Sequence, residues 1–324
     1  MLKNRLGQFL KLISLSAVAA CSSTESLHSN NLKTKKATER VLAWSNTFGQ
    51  TVPCHCHLEP FGGLERRYNL YRHLKLRTQK LHSLNSGNFL FPYKPSPVQD
   101  QLFLDAEKQA WAQSHFNVEA INVGYLDLVN GLKYLKGFEE KYKLPLISTN
   151  LYSKTEKPLF KTHKDLKLFG RKFRVLGLTD LGQHEKGYKV LDPIKAGKTA
   201  IKDSPFPVLI LSDLGHASIT KLQKSFPNKE IIFVGQRYGS RDYVMRNSTK
   251  HTIIEGSQKG QQVVLLSSYN LHPSKITFLD LKTKSPNTEG FPTPNEERIS
   301  FEAITLDQNW DRSNIMSAGQ KWKN

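Results

Sequence analysis

Acidic residues are in short supply in this chain of 324 residues: 28 aspartates and glutamates face 47 lysines and arginines, for a formal net charge of +19. The surplus favours anionic partners such as phosphorylated ligands, lipopolysaccharide or acidic glycans, unless it serves only as a solvated basic surface. Nucleic acid is the usual first thought for a basic chain. No Lys/Arg run with interleaved aromatics occurs, however, and the basic residues are spread along the sequence. Cysteine is scarce, with three copies. Cys54 and Cys56 are separated by a single residue, which excludes a c-type haem attachment. No internal repeat is present. There is no Gly-x-Ser-x-Gly elbow, so residue order assigns no serine triad. The apolar stretches are all too short for a full helical membrane span.

What is present begins at the N-terminus. Lys3, Arg5 and Lys11 precede and bracket an apolar stretch from Leu12 to Ala20, the pattern of a secretory signal. Val18-Ala19-Ala20-Cys21 is similar to a bacterial lipobox, in which the cysteine is lipidated and becomes the mature N-terminus. An ordinary signal peptide with a chance cysteine is the other reading. Residues 1–20 are therefore expected to be a signal and residues 21–39 a polar tether. Ser22 after the cysteine, rather than Asp, favours an outer-membrane destination, so the expected place is the periplasmic side of the cell envelope, with the lipid-anchored N-terminus as the membrane contact. Export also makes nucleic acid an unlikely partner. Without residues 1–20, which hold three basic residues and no acids, the charge is +16. Roughly 300 residues remain, enough for one large domain or two small ones.

The segment Thr51 to Arg67, TVPCHCHLEPFGGLERR, concentrates chemistry. In an oxidising compartment Cys54 and Cys56 could form a bridge, hold a metal, or remain structural thiols. Alternate residues of an extended chain point to opposite sides, so one ion cannot take both cysteines together with His55 and His57. A two-cysteine half-site would need His73, His82 or His216 to complete it. Gly62 and Gly63 precede a helix start with Arg66 and Arg67 one turn in, an arrangement suited to a phosphate or carboxylate. The alternative is a plain strand-to-helix turn whose arginines meet carboxylates or water.

The body alternates apolar runs with helical patterns. Strands are expected at Val41–Ser45, Leu84–Leu90, Val118–Val123, Pro145–Ser148, Phe173–Leu178, Pro207–Leu211 and Ile231–Val234. Helices are expected at Gln101–Phe116, Leu126–Tyr142 and Ser218–Phe226. His251–Glu255 and Gln261–Ser268 read as a strand pair joined through a turn at Gly256–Gly260, and Ser300–Leu306 as a final strand after a loop at Lys282–Asn295. Continuous β-branched runs separated by helices indicate buried strands in an α/β architecture.

The order of these motifs resembles the calcineurin-like metallophosphoesterases, specifically the N-terminal domain of secreted 5′-nucleotidases and UDP-sugar hydrolases. Trp44 to Gln50 is similar to the family's Asn-Asp-x-His-Gly-Gln turn, and Gly62 to Arg67 to its Gly-Gly-Leu-Ala-Arg-Arg helix start. Asn85 to Leu90 stands where the family has an Ala/Ser-Gly-Asp turn. Ile121 to Asp127 resembles Val-Asn-Val-Gly-Asn-His-Asp. Leu209 to Gly215 and Val234 to Tyr238 resemble two late histidine motifs, and Pro145–Leu151 and Val175–Thr179 fit strands between them. A Cys-x-Cys ahead of the Gly-Gly-Leu-x-Arg-Arg segment is similar to a divergent nucleotidase-like branch.

The resemblance implies a four-layer α/β/β/α sandwich of two mixed sheets over residues 40–270, with residues 271–324 as a C-terminal extension packing on the same domain. It also implies a site at the strand ends where two divalent ions clamp phosphate oxygens. This chain departs from that pattern at nearly every ligand. Thr47 and Phe48 stand at the first Asp and His, Asn88 at the bridging Asp, Tyr125 at the Asn and Leu126 at the His. Asp213 stands at a late His, and Gln236 and Tyr238 at the final pair. A neutral amide brings no charge to a divalent ion, and Phe or Leu brings no ligand at all. The expectation is a protein with the fold and without the chemistry, no confidently assigned catalytic residue and no cofactor. Such a protein would bind an anionic ligand or envelope partner, with Gly62, Gly63, Arg66 and Arg67 as the anion site. Cys54, Cys56, Asn88 and Asp213 are the remaining candidates for a divalent metal, in a hydrolase with a rebuilt site or a Cys-x-Cys thiol protein. Asp127 and Asp213 would otherwise cap helices or bond loops.

Overall fold

The computed structural model describes residues 37–54, 60–92, 99–180, 187–235, 242–248, 250–256, 258–269, 278–280 and 299–311. The chain divides into residues 1–36 and residues 37–324, and all that follows concerns the second unit. The strands are β1 (Ala37–Trp44), β2 (Thr78–Asn85), β3 (Val118–Asn122), β4 (Leu146–Ile147), β5 (Leu151–Ser153), β6 (His163–Leu168), β7 (Arg171–Leu178), β8 (Tyr188–Val190), β9 (Val208–Ser212), β10 (Ile231–Gly235), β11 (Val244–Asn247), β12 (His251–Glu255), β13 (Gln262–Ser268), β14 (Phe278–Asp280) and β15 (Ile299–Thr305). The helices are α1 (Leu64–Leu76), α2 (Gln99–His115), α3 (Leu132–Tyr142), α4 (Pro193–Lys202) and α5 (His216–Lys224).

Two mixed sheets result. The seven-stranded sheet has the order β14-β15-β13-β1-β2-β3-β4 and the six-stranded sheet β11-β12-β10-β9-β7-β6, while β5 and β8 form a separate pair. Side-chain alternation explains why the sheets pack face to face. In β1, Val41 and Ala43 enter the core between the sheets. From the facing sheet, Leu209 and Leu211 of β9 and Ile232 and Val234 of β10 meet them there. The alternate residues Val208, Ile210, Ile231 and Phe233 turn outward, where Ile201 of α4 and Ile219 and Leu222 of α5 cover them. Both faces of these strands are buried, which is why their sequences read as unbroken apolar runs. On the outer face of the seven-stranded sheet, Trp44 is buried and meets Phe116 edge-on at 5.3 Å.

Three expectations need correction. β12 and β13 do not pair. β12 runs parallel to β10 and antiparallel to β11, whereas β13 lies between β1 and β15, so the connection at Gly256–Gly260 crosses from one sheet to the other. The helix expected from Leu126 is interrupted: a short 3-10 turn, Tyr125–Leu128, gives way to Gly131 at φ 88 before α3 begins. The second strand lies earlier than expected, because β2 ends at Asn85 and residues 86–90 form a loop. In addition, β1 begins at Ala37, within the stretch read as tether, and β14 and β15 complete the edge of the first sheet.

β1 to β4 run parallel, as do β7, β9, β10 and β12, so the C-terminal ends of each set share one edge of their sheet. Polar contacts draw the two edges together into one rim. Asn122 donates to the carbonyls of Ser86 (3.1 Å) and Leu178 (3.2 Å), and the Ser86 hydroxyl donates to the Val234 carbonyl at 2.8 Å. Among the described residues, no helix is long and apolar enough to cross a membrane.

Candidate functional site at the strand ends

The rim is built from loops that lie against one another. After β1, Asn46 and Phe48 adopt left-handed backbone (φ 54 and 51). That conformation lets the Asn46, Phe48 and Gly49 amides each donate at 3.0 Å to the carbonyls of Gly87, Asn88 and Phe89 in the loop after β2. The loop after β3 comes equally close: a Cβ on Gly124 would lie 2.3 Å from the Asn88 amide nitrogen and side-chain oxygen, so only glycine fits.

Asp127 organises this contact. Its buried carboxylate accepts from the amides of Asn88 (2.8 Å), Phe89 (2.8 Å), Leu90 (2.9 Å) and Gly124 (2.9 Å). Burial pushes its pKa up to about 6 although these four donors favour the ionised form. Asp213, after β9, plays a similar part between the sheets. It accepts from the Tyr125 amide at 2.5 Å and the Asp180 amide at 2.7 Å. Burial first, with the charges of Asp180 and Asp127 adding to it, pushes its carboxyl up to about 8. Both aspartates thus tie loops together, as one of the two sequence readings had it.

Among the described residues, the side-chain oxygens at this rim are turned inward to the protein's own N–H groups. The side-chain oxygen of Asn46 accepts from the Asn88 amide group at 3.3 Å, and that of Asn88 accepts from the Leu126 backbone at 2.9 Å. Both amide oxygens are thus turned to N–H donors of the protein. It is also Asn46, not Thr47, whose side chain faces Asn88; the Thr47 hydroxyl turns away to the Phe89 carbonyl at 3.1 Å. Among the described residues, no group of three His, Cys, Asp or Glu side chains is arranged to hold a metal. Gln236 and Tyr238 lie outside the described residues.

Of the Cys/His segment, Cys54 alone lies among the described residues. Cys54 is disulfide-bonded, forms a β-bridge with Phe61, and has the Lys259 ammonium 3.5 Å from its sulfur. Cys21, Cys56, His55 and His57 lie outside the described residues. The histidines considered as completing ligands go elsewhere. His73 meets Trp310 edge-on at 5.6 Å, His82 lies between Glu39 and Glu119, and His216 pairs with Glu255.

The Gly-Gly-Arg-Arg segment separates two arginines with different surroundings. Gly62 and Gly63 take φ of 85 and 97 at the start of α1, and the Gly62 and Leu64 amides donate to the carbonyls of Leu306 and Thr51. Arg66 forks onto Asp311 at 2.5 and 2.7 Å and also donates to the carbonyls of Pro60 and Leu306. Arg67 is wholly buried beneath the first loop, 5.7 Å from the Trp44 ring centre. Its Nη2 lies 3.5 Å from the Gly260 carbonyl, while Nε and Nη1 have no hydrogen-bond partner among the described residues. Burial lowers its pKa to about 10, so it stays charged at neutral pH.

One further pairing was not legible in sequence. Glu255, at the end of β12 and fully buried, lies 2.9 Å from His216 Nδ1 and also pairs with Arg246, and both of these side chains are partly exposed. His216 was visible only as a lone histidine after a glycine; its partner is 39 residues away and is brought in by the parallel β9–β10–β12 register.

This architecture is that of the calcineurin-like phosphoesterases. The chain superposes on a 5′-nucleotidase precursor from Thermus thermophilus (TM-score 0.60, 16% identity, 84% of this chain and 55% of that one). It superposes likewise on the sulfate thiohydrolase SoxB of the same species (0.58, 15%, 72% and 54%) and on the calcineurin-like phosphoesterase YfkN from Bacillus subtilis (0.55, 11%, 72% and 85%). It therefore spans about half the length of the nucleotidase and of SoxB. No family model and no curated protein matches the sequence. At these identities the likeness establishes the fold.

Proposed function

We propose that this chain is an exported lipoprotein of the cell envelope that keeps the metallophosphoesterase fold without its dinuclear metal chemistry and binds a small anion at the strand-end rim. One observation carries the reading: the oxygens of Asp127, Asp213, Asn46 and Asn88 all accept hydrogen bonds from the protein's own N–H groups. Such a rim holds its loops together through the groups that would otherwise ligate metal. Arg67 supports the anion-binding half of the reading. A permanent cation with two unpartnered nitrogens sits under the loop where the family's metals would lie, and it favours an acceptor bearing negative charge. Arg66 is already engaged by Asp311.

The test is an assay of the purified full-length chain against nucleoside 5′-monophosphates, UDP-glucose and p-nitrophenyl phosphate, with manganese, zinc, cobalt or calcium supplied. No turnover is expected. Robust turnover that disappears in Asp213→Ala or Asn88→Ala would overturn the reading in favour of a hydrolase with a rebuilt site. So would near-stoichiometric bound metal that is lost in a Cys54→Ser/Cys56→Ser variant. Inorganic phosphate should raise Tm in a saturable manner, and Arg67→Met should abolish that rise. The membrane anchor rests on the Val18-Ala19-Ala20-Cys21 segment, and incorporation of labelled palmitate should be lost in Cys21→Ser.

A further inference from the structure

A cavity of about 640 Å³ lies on the outer side of the six-stranded sheet, between α4, the edge strand β6 and its neighbour β7, well inside the size range of small-molecule sites. It exists because of how α4 is patterned. Ile201 and Gly197 press onto the sheet, and a Cβ on Gly197 would already touch Leu178 and Leu222 at 3.1 and 3.2 Å. One turn-related face of the same helix fronts the cavity next to Tyr152, Leu176 and Leu191, with the short side chains of Ala196, Thr199 and Ala200 beside Lys195. Leu191 is 41% exposed although it lines this hollow, an apolar surface left open.

The charges around the cavity are unevenly engaged. Asp192 caps α4 by accepting from the Lys195 amide at 2.8 Å, and Arg174 directs Nε and Nη2 at Asp165 (3.0 and 3.4 Å). Lys195 forms no ion pair among the described residues, and it stands one turn into α4, beside the Leu191 end. Asp203 lines the cavity eight residues further along, about 12 Å away on a helical rise of 1.5 Å, so the carboxylate nearest Lys195 is that of Asp192, which is turned to the backbone at the helix N-terminus.

We infer that this cavity is a second binding site, distinct from the strand-end rim, for a small amphipathic anion. The ligand's apolar body would lie against Tyr152, Leu176 and Leu191, and its single acidic group would meet Lys195. The site does not depend on the fate of the metal ligands. The probe that tests it is 8-anilinonaphthalene-1-sulfonate, an aromatic body with one sulfonate, titrated by fluorescence into the full-length chain. One saturable site is expected. Ala196→Leu, which fills the cavity, should weaken binding about tenfold without lowering Tm. Lys195→Glu, an exposed substitution that leaves the packing intact, should weaken it about fivefold. The uncharged analogue N-phenyl-1-naphthylamine should bind the wild type more weakly and be indifferent to Lys195→Glu. Unchanged affinity for the sulfonate in Lys195→Glu, or in a folded Ala196→Leu variant, would overturn the inference. So would loss of the site in Asp213→Asn, which would place the probe at the strand-end rim.

Discussion

At the strand-end rim, Asp127 and Asp213 are buried against backbone N–H donors, and burial raises both carboxyls, to about 6 and about 8. At the opposite ends of the same strands, Glu39 of β1 and Glu119 of β3 flank the buried His82 of β2. The ring lies 2.9 Å from Glu39 and 2.5 Å from Glu119, and Glu39 also accepts from the Phe169 amide in the β6–β7 turn of the facing sheet at 2.8 Å. Burial alone would raise Glu39, but the His82 and Phe169 hydrogen bonds outweigh it and leave the carboxyl below its ordinary value. For His82, burial pushes down and the two glutamates more than compensate, so it lies above its ordinary value. Both rims use a buried carboxylate to bridge elements. Glu39 has the His82 ring beside it, whereas Asp127 and Asp213 are met by backbone amides.

The largest effect should come from removing Asp127. Asp127→Ala leaves four buried amides without an acceptor, and each unsatisfied group costs at least about 1 kcal/mol. A loss of about 4 kcal/mol or more is expected in urea unfolding, a large share of a typical domain's stability. A loss under about 1 kcal/mol would mean that the loops after β2 and β3 hold together without the carboxylate. His82→Ala should follow. It strands two carboxylates beside each other and should cost about 3 kcal/mol, as breaking a buried pair does. If His82→Ala proved the milder by far, the glutamate rim would be a polar filler rather than a staple between the sheets.

The comparison also predicts opposite pH slopes. Asp213 titrates near 4 when unfolded and about 8 when folded, so between those values the folded chain holds the extra proton. Its contribution to stability therefore falls as pH rises through that window, by at most about 1.4 kcal/mol per pH unit. Asp213→Asn should flatten this decline. Glu39 runs the other way: its contribution is present above its ordinary carboxyl pKa and fades as pH drops through its lowered value. His82 adds stability that is complete below its ordinary pKa and is lost as pH rises through the raised one. The glutamate rim should thus be strongest in the mildly acidic range, and Glu39→Gln should remove the acid-side loss. A wild-type stability curve that is flat between pH 5 and pH 8 and unaltered by Asp213→Asn would dissolve the distinction.

How much of this was legible follows from the kind of signal each feature leaves. β9 and β10 were plain because their strands are buried on both faces, and the runs Val208–Leu211 and Ile231–Val234 have no polar interruption. The β12–β13 connection was misread because a glycine turn between two apolar runs is the local signature of a hairpin. What decided their partners was the second sheet, which no local pattern encodes. The departures from the resembled ligand pattern could be read residue by residue, since they need only residue identity. The first loop's register could not: Asn46 faces Asn88 because it adopts left-handed backbone there. The contrast between Arg66 and Arg67 was equally hidden. Adjacent residues on a helix point about 100° apart, and here one reaches Asp311 while the other enters the core.

The smallest expected change in stability comes with the sharpest expected change in binding. Arg67→Met removes a buried charge that makes one long contact to Gly260 and replaces it with an unbranched apolar chain of similar reach. Exchanging a poorly partnered buried charge for an apolar group is often neutral or stabilising, so unfolding free energy should move by no more than about 1 kcal/mol. Its Coulombic influence on the buried Tyr243 phenol, now pushed up to about 12, would also vanish, and that pKa should rise further. If the rim binds anions through Arg67, the phosphate-dependent rise in Tm should disappear in this variant while the phosphate-free Tm is retained. A large drop in phosphate-free Tm would instead make Arg67 a packing residue over Trp44, and the two rims would then differ in structure alone.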